Sequence, residues 1–311
     1  MRYSNLSWHV DKARQAEAES DLISMTEAAN KMERGCYYKQ AWKTFQAIAM
    51  LERSTPGRPW RGPCDRVRTL VVEERKRDLG DELRLVHLVA KAAADVCEVI
   101  VQTEERLIPL FSRSFPDVRF ISTNDALPQD TDTAWTTYEQ LALFYAHNEE
   151  LILNSFLPLS PPSASAINPR GRGISWYSKA IYKCLPSLED WAELIRDVRG
   201  RVQSLQYQEG RAGLKELVQK SGRPVKAARR IDQFQDLDGY AFQVASVQRV
   251  LTISNSTAHM AGALGIPCVV VLDSESGTTW PDHVDQSPFY PNTLLVRRRN
   301  MDWASTLRKA L

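Results

Sequence analysis

Apolar residues recur at three- and four-residue steps through Leu22, Met25, Ala28 and Met32, and again through Ala41, Phe45, Ile48 and Leu51. That period puts each run on one face of a helix, and Gly35 with Tyr37 and Tyr38 marks the turn between them. Residues 20–56 therefore read as a helical hairpin. From residue 69 the pattern changes. Short β-branched runs at Thr69–Val72, Val96–Gln102 and Val118–Ile121 alternate with amphipathic stretches at Asp81–Ala94 and Glu104–Ser114. The alternation resumes later, with strands at Gly173–Trp176 and Val202–Gln206 and helices at Leu188–Val198, Ala212–Lys220 and Gly239–Val247. Its clearest unit is strand Arg249–Ile253, turn Ser254-Asn255-Ser256, helix Thr257–Leu264 and strand Cys268–Leu272. Strands alternating with helices of about ten residues predict parallel sheets with helices on both faces.

Charge marks the joints. Phe120 to Pro169 contains no Lys or Arg and closes in the Pro/Ser run Leu157-Pro158-Leu159-Ser160-Pro161-Pro162-Ser163, which cannot continue a helix or a central strand. The expected organisation is a helical, tetratricopeptide-like segment at 1–58, a Rossmann-like domain at 59–157, a linker at 158–170 and a second Rossmann-like domain at 171–311, with a cleft between the two domains. Beyond the linker the chain is basic, with Arg196, Arg199, Arg201, Lys215, Lys220, Arg223 and Lys226 facing few acids. That run reads as a solvated helical face or as a positive field beside an anionic ligand.

Composition narrows the class without naming a function. The chain has 311 residues, 43% hydrophobic and 25% charged, which suits a globular protein of two domains. No apolar run is long enough to cross a membrane, and the first residues lack the apolar core of a signal peptide. The five cysteines are scattered with no C-x-x-C spacing, which predicts neither a disulfide framework nor a structural zinc site and fits a cytoplasmic location. A formal net charge of +2 gives no reason to expect nucleic acid as a partner.

The strongest candidate chemistry lies where the apolar strand ending at Ile253 runs into small polar residues and then a helix. Ser256 or Thr257 is placed to cap that helix, leaving amide N–H groups and the helix dipole facing the crevice at the strand's carboxyl end. His259 sits in the first turn, where it could donate to a phosphate oxygen. Gly265-Ile266-Pro267 stops the helix.

The stretch Ser254-Asn255-Ser256-Thr257-Ala258-His259-Met260-Ala261-Gly262-Ala263-Leu264-Gly265-Ile266-Pro267, followed by Ser287-Pro288-Phe289-Tyr290-Pro291, resembles the C-terminal half of family-9-type, heptosyltransferase-like glycosyltransferases. Leu79-Gly80-Asp81-Glu82 is similar to that family's Gly-Asp loop, and Gly173-Ile174-Ser175-Trp176 and Ser204-Leu205-Gln206-Tyr207 resemble two of its C-terminal strands. The resemblance covers roughly residues 55–311, and the offsets Gly35, Tyr38 and Ala47 are similar to the tetratricopeptide repeats of some bacterial members. It implies the two-domain architecture called GT-B. It also implies transfer of a hexosyl or heptosyl group from a nucleotide-diphospho-sugar to an acceptor hydroxyl, with no cofactor and no obligatory metal. The acceptor class (glycan, lipid or protein) is left open.

Carried over residue by residue, the resemblance makes Asp81 the general base and places Ser254, Asn255, Ser256, Thr257 and His259 on the donor diphosphate. A family lysine matches Lys179 or Lys183, and Glu209 falls near the nucleotide-binding stretch. The sequence departs from the pattern at Ser254, where relatives place Asp, and at Asp78, where they place a glycine. These departures raise a second reading, an inactive relative that binds nucleotide-sugar or a protein partner; a third is a nucleotide-sugar epimerase on the same scaffold. Asp236-Leu237-Asp238 and Asp130-Thr131-Asp132 each read D-x-D, but first-turn acids and an acidic loop account for them better than a metal does.

Overall fold

The computed structural model describes residues 3–52, 57–73, 78–128, 132–180, 183–207, 213–228, 230–273 and 280–310. The chain divides into two compact units, Met1–Leu157 with Thr279–His283, and Pro158–Thr278 with Val284–Leu311.

The first unit opens with three helices, α1 (Tyr3–Ala18), α2 (Leu22–Arg34) and α3 (Tyr38–Glu52), so one more helix precedes the expected hairpin. Asp21 starts α2 by accepting the Ser24 amide at 3.1 Å. The predicted apolar faces are buried at Met25, Ala28 and Met32 on α2 and at Ala41, Phe45 and Ile48 on α3, where Trp42 is buried too, whereas Leu51 is exposed. There follows a parallel sheet of β1 (Arg58–Pro59), β2 (Thr69–Val72), β3 (Glu98–Thr103), β4 (Arg119–Ser122) and β5 (Thr133–Thr136), in the order β1-β5-β2-β3-β4. Its helices are α4 (Leu79–Leu85), α5 (Val89–Asp95), α6 (Ile108–Ser114), α7 (Tyr138–Tyr145) and α8 (Glu149–Ser155). The single helix expected over 81–94 is thus broken by a 3₁₀ turn at Val86–Leu88. Between the acidic loop and the expected linker, where no element is predicted, the chain adds β5, α7 and α8.

The second unit carries a six-stranded parallel sheet, β6 (Arg172–Ser175), β7 (Val202–Ser204), β8 (Val225–Ala227), β9 (Arg249–Ile253), β10 (Cys268–Leu272) and β11 (Thr293–Arg297), in the order β11-β10-β9-β6-β7-β8. Helices α9 (Leu188–Asp197), α10 (Leu214–Ser221), α11 (Leu237–Ala245), α12 (Ser256–Ala263) and α13 (Trp303–Arg308) complete it. β9 and β10 read as near-continuous apolar runs because a parallel sheet buries both faces of its central strands. A core built on Ile174, Trp191, Ile195, Leu217, Leu251 and Val271 lies under α9 and α13. Part of the basic run is structural: the Arg223 guanidinium donates to the carbonyls of Ile195 and Gly200 at 3.2 and 2.8 Å, closing the end of α9. At the start of the expected linker the Leu159 amide donates to the Ala263 carbonyl at 2.8 Å.

His87, in the 3₁₀ turn, is 3% exposed, and burial lowers its pKa to about 4. Its Nε2 lies 3.2 Å from Ser155 Oγ, which itself donates to the Ile152 carbonyl, so the imidazole is the donor. An unfolded histidine titrates near 6.5, so below that pH the unfolded chain takes a proton that the native state refuses. Stability is complete above pH 6.5 and falls as pH drops toward 4, by an amount on the order of 3 kcal/mol from this residue. Urea unfolding at pH 7 and pH 4.5 should show a smaller acid loss in His87→Gln than in the unsubstituted protein. Equal losses in the two would remove His87 from the acid response.

Candidate functional site

In an open parallel sheet, ligands collect at the carboxyl edge where neighbouring strands lead their connections in opposite directions. In the six-stranded sheet that point lies between β6 and β9, because the chain runs outward through β7 and β8 and returns on the other side to β9. The two strands end at Ser175 and Ile253, and the residues that follow them meet. Asn255 is the cap of α12, with extended backbone and a side-chain Oδ1 that accepts the amides of Thr257 at 3.0 Å and Ala258 at 3.4 Å. This corrects the expectation that Ser256 or Thr257 caps the helix. It also reduces the expected row of exposed amides, since two of the first three are taken by the protein itself. The Asn255 amide donates in turn to Ser175 Oγ at 2.9 Å and to the Tyr177 carbonyl at 3.2 Å. Ser175 Oγ donates to Gln206 Oε1 at 3.1 Å, an oxygen that also accepts the amides of Trp176 and Tyr177, each at 2.9 Å. A side amide can both give and receive, which a serine or threonine at the cap could not do on this scale. The result is a buried polar chain linking the ends of β6, β7 and β9, rigid because every member is bonded.

The remaining predicted donor residues divide around that chain. Lys183 Nζ donates to the Ser254 carbonyl at 2.7 Å and lies 3.5 Å from Ser178 Oγ. Of the two candidate lysines it is therefore the one at the turn; Lys179 lies over the Phe234 ring at 5.9 Å. Ser254 is buried and Ser256 is partly exposed. Thr257 is fully buried, and its hydroxyl lies 2.7 Å from Tyr240 Oη. Because Tyr240 donates to the Leu205 carbonyl at 3.0 Å, Thr257 is the donor of that bond, and the Thr257 side chain holds α12 to α11. Burial pushes the Tyr240 phenol well above its ordinary range, so it stays a neutral donor. His259 Nδ1 lies 3.1 Å from Tyr290 Oη, and the Tyr290 ring packs so closely on Gly262 that a Cβ there would come within 2.4 Å of it. Tyr290 thus fixes His259 through the small face of α12. Tyr177 and Tyr207 stand over the same sheet edge with ring centroids 6.2 Å apart. Glu209 lies outside the described residues.

In the five-stranded sheet the corresponding point lies between β2 and β5, and α4 follows β2. Asp81 is in the first turn of α4, its side chain 21% exposed, accepting Arg84 Nη2 at 3.0 Å. Arg84 is itself buried and paired with Glu33 of α2. Asp78, which stands where relatives have glycine, has φ −67° and ψ 146°, an extended backbone open to any residue. The Asp236 of one D-x-D caps α11 by accepting the Gly239 amide at 2.7 Å; Asp130 and Thr131 of the other lie outside the described residues. Among the described residues no three His, Cys, Asp or Glu side chains converge as a metal site. Among them, too, no helix is long and apolar enough to cross a membrane. Ser175, Gln206, Tyr240, Arg84 and Glu33 were not singled out from the sequence. Ser175 with Gln206, Tyr240 with Leu205 and Arg84 with Glu33 pair across 31, 35 and 51 residues, and only Gln206 carries a local hint, as a polar residue just past a buried strand.

No family model matches the sequence, and no curated protein does. Solved structures do share its fold. The E. coli heptosyltransferase WaaC with ADP superposes with a TM-score of 0.53 at 14% identity, over 78% of this chain and 98% of that one. WaaC with ADP-2-deoxy-2-fluoro heptose gives 0.52 at 12%, over the same shares. The glycosyl transferase family 9 protein from Veillonella parvula gives 0.52 at 11%, over 76% and 88%. The chain therefore has the α/β, two-sheet fold of heptosyltransferase-like glycosyltransferases, the architecture that its Gly-Asp loop and the stretch from Ser254 to Pro267 resemble.

Proposed function

We propose that the protein is a metal-independent glycosyltransferase that moves a sugar from a nucleotide-diphospho-sugar to an acceptor hydroxyl. The observation that carries this reading is Lys183. Its ammonium donates to the Ser254 carbonyl just before α12, which puts a cationic donor at the helix N-terminus, where it and the positive end of the helix dipole both favour a diphosphate. With Thr257 and Ala258 already bonded to Asn255, the grip on the diphosphate falls to Lys183, the Ser256 amide, His259 and the dipole, rather than to a cradle of amides. Tyr177 and Tyr207 offer an aromatic surface for the base. In the reaction Asp81 takes the proton of the acceptor hydroxyl, whose oxygen forms a bond to the anomeric carbon. The bond from that carbon to the diphosphate breaks, and the nucleoside diphosphate leaves with the electron pair. Fixed positive charge at the leaving group does the work of a divalent cation. The shared fold with WaaC and the family 9 protein supports the assignment.

Thermal unfolding against UDP, GDP and ADP, their sugar conjugates and a CMP conjugate as control tests it. At least one diphosphate should stabilise the protein, by about 2.7 kcal/mol at a hundredfold excess over Kd. Lys183→Met should weaken that ligand by roughly 10- to 100-fold, the loss of one charge-assisted hydrogen bond. A flat response across the whole panel would overturn the transferase reading.

A further inference from the structure

Arg84 lies one turn beyond Asp81 on α4, and its side chain is only 2% exposed. Its guanidinium is held on three sides. Nη2 donates to Asp81, Nη1 pairs with Glu33 of α2, and the Trp42 ring of α3 lies 5.9 Å from the guanidinium carbon. An Asp–Arg pair three residues apart on an exposed helix contributes little and leaves the arginine free to swing. Here the guanidinium cannot swing, because a buried cation needs a buried counter-charge, and the Glu33 side chain, 1% exposed, supplies it. The row Glu33–Arg84–Asp81 therefore holds two carboxylates against one cation. Asp81 is the exposed end of the row. An apolar side chain would fill the interior site of Arg84 at lower cost. What the ionic row adds is a fixed direction for the Asp81 carboxylate.

We propose that Glu33 is a positioning residue for Asp81, acting through Arg84, and that the N-terminal helices serve to brace this carboxylate. The inference rests on the reading of Asp81 as the proton acceptor. Glu33 engages Nη1 of the guanidinium, so Asp81 meets Nη2 through one oxygen and keeps its second for the acceptor hydroxyl. Without the Glu33 charge the guanidinium closes fully on Asp81 and holds it in its own pair.

Glu33→Gln keeps the shape and one acceptor atom, and Asp81 remains as a counter-charge to Arg84, so kinetics are compared on protein shown folded by its urea transition. The substitution should lower kcat about tenfold while donor KM stays within twofold, and Arg84→Lys, whose point-charge ammonium lacks the planar fork that spans the two carboxylates, should lower it at least as much. Stability is read separately in urea with the cycle Glu33→Gln, Asp81→Asn and the double variant. The two residues should be coupled at least fivefold in the unfolding constant. Additive effects within twofold would overturn the relay, and coupling without any change in kcat would overturn its positioning role. Should the unsubstituted protein transfer no sugar from any donor, the parent reading fails, and the urea cycle still decides whether Glu33 is tied to Asp81.

Discussion

Asp81→Asn should lower the rate of sugar transfer by roughly 10²- to 10⁴-fold, the range that a positioned general base contributes. The substitution is close to isosteric, and the new amide oxygen can still accept Arg84 Nη2, which Asp81 now meets at 3.0 Å. Glu33 remains to balance the guanidinium, so no buried charge is stranded and the fold should persist. Donor affinity should not change, because the proposed grip on the diphosphate comes from Lys183, Ser256 and His259 and Asp81 takes no part in it. Transfer kinetics and donor binding measured on the same preparation check both halves. Lost turnover with intact binding supports Asp81 as base. Unchanged turnover removes it from the chemistry, and a protein that binds donor but never transfers would be the inactive relative that Ser254 raises as a second reading.

How much of this was legible in the sequence differs from element to element. β9 and β10 begin and end where the apolar runs do, since a strand buried on both faces leaves no choice of register. β1 and β5 went unread. Arg58–Pro59 is a strand only because it pairs with Ala134 and Trp135, and four residues of Thr-Ala-Trp-Thr show no period of their own. β11 is an edge strand whose burial alternates, a weak signal over five residues. At the site, the strand–turn–helix was visible but its cap was not. Asn255, Ser256 and Thr257 all have capping side chains, and what selects Asn255 is Ser175, 80 residues away, waiting for a donor. The Glu33–Arg84 pair spans 51 residues and matches no local pattern. Local sequence specifies helices and strands, whereas partners brought together by the sheet order become visible only with the fold.

Asn255→Ala should cost about 3 kcal/mol of stability and at least tenfold in nucleotide affinity. Loss of the cap to Thr257 and Ala258 contributes about 1 kcal/mol. The rest comes from the buried Ser175 hydroxyl, which loses the donor that Asn255 supplies, and from the part-buried Tyr177 carbonyl, left with only the longer Gln206 bond at 3.4 Å. The effect on affinity follows from geometry. Ser254, whose carbonyl receives Lys183, directly precedes the cap, so a loosened turn lets the ammonium drift from the helix terminus. Asn255→Asp separates the two contributions. An ionised carboxylate still accepts the helix amides and suits the dipole, but it cannot donate to Ser175 or Tyr177. Urea unfolding should therefore rank the native protein above Asn255→Asp and that above Asn255→Ala, with nucleotide affinity in the same order. If Asn255→Ala loses less than about 1 kcal/mol, the cap alone explains Asn255. The bonds to Ser175 and Tyr177 then do not hold the turn that places Lys183.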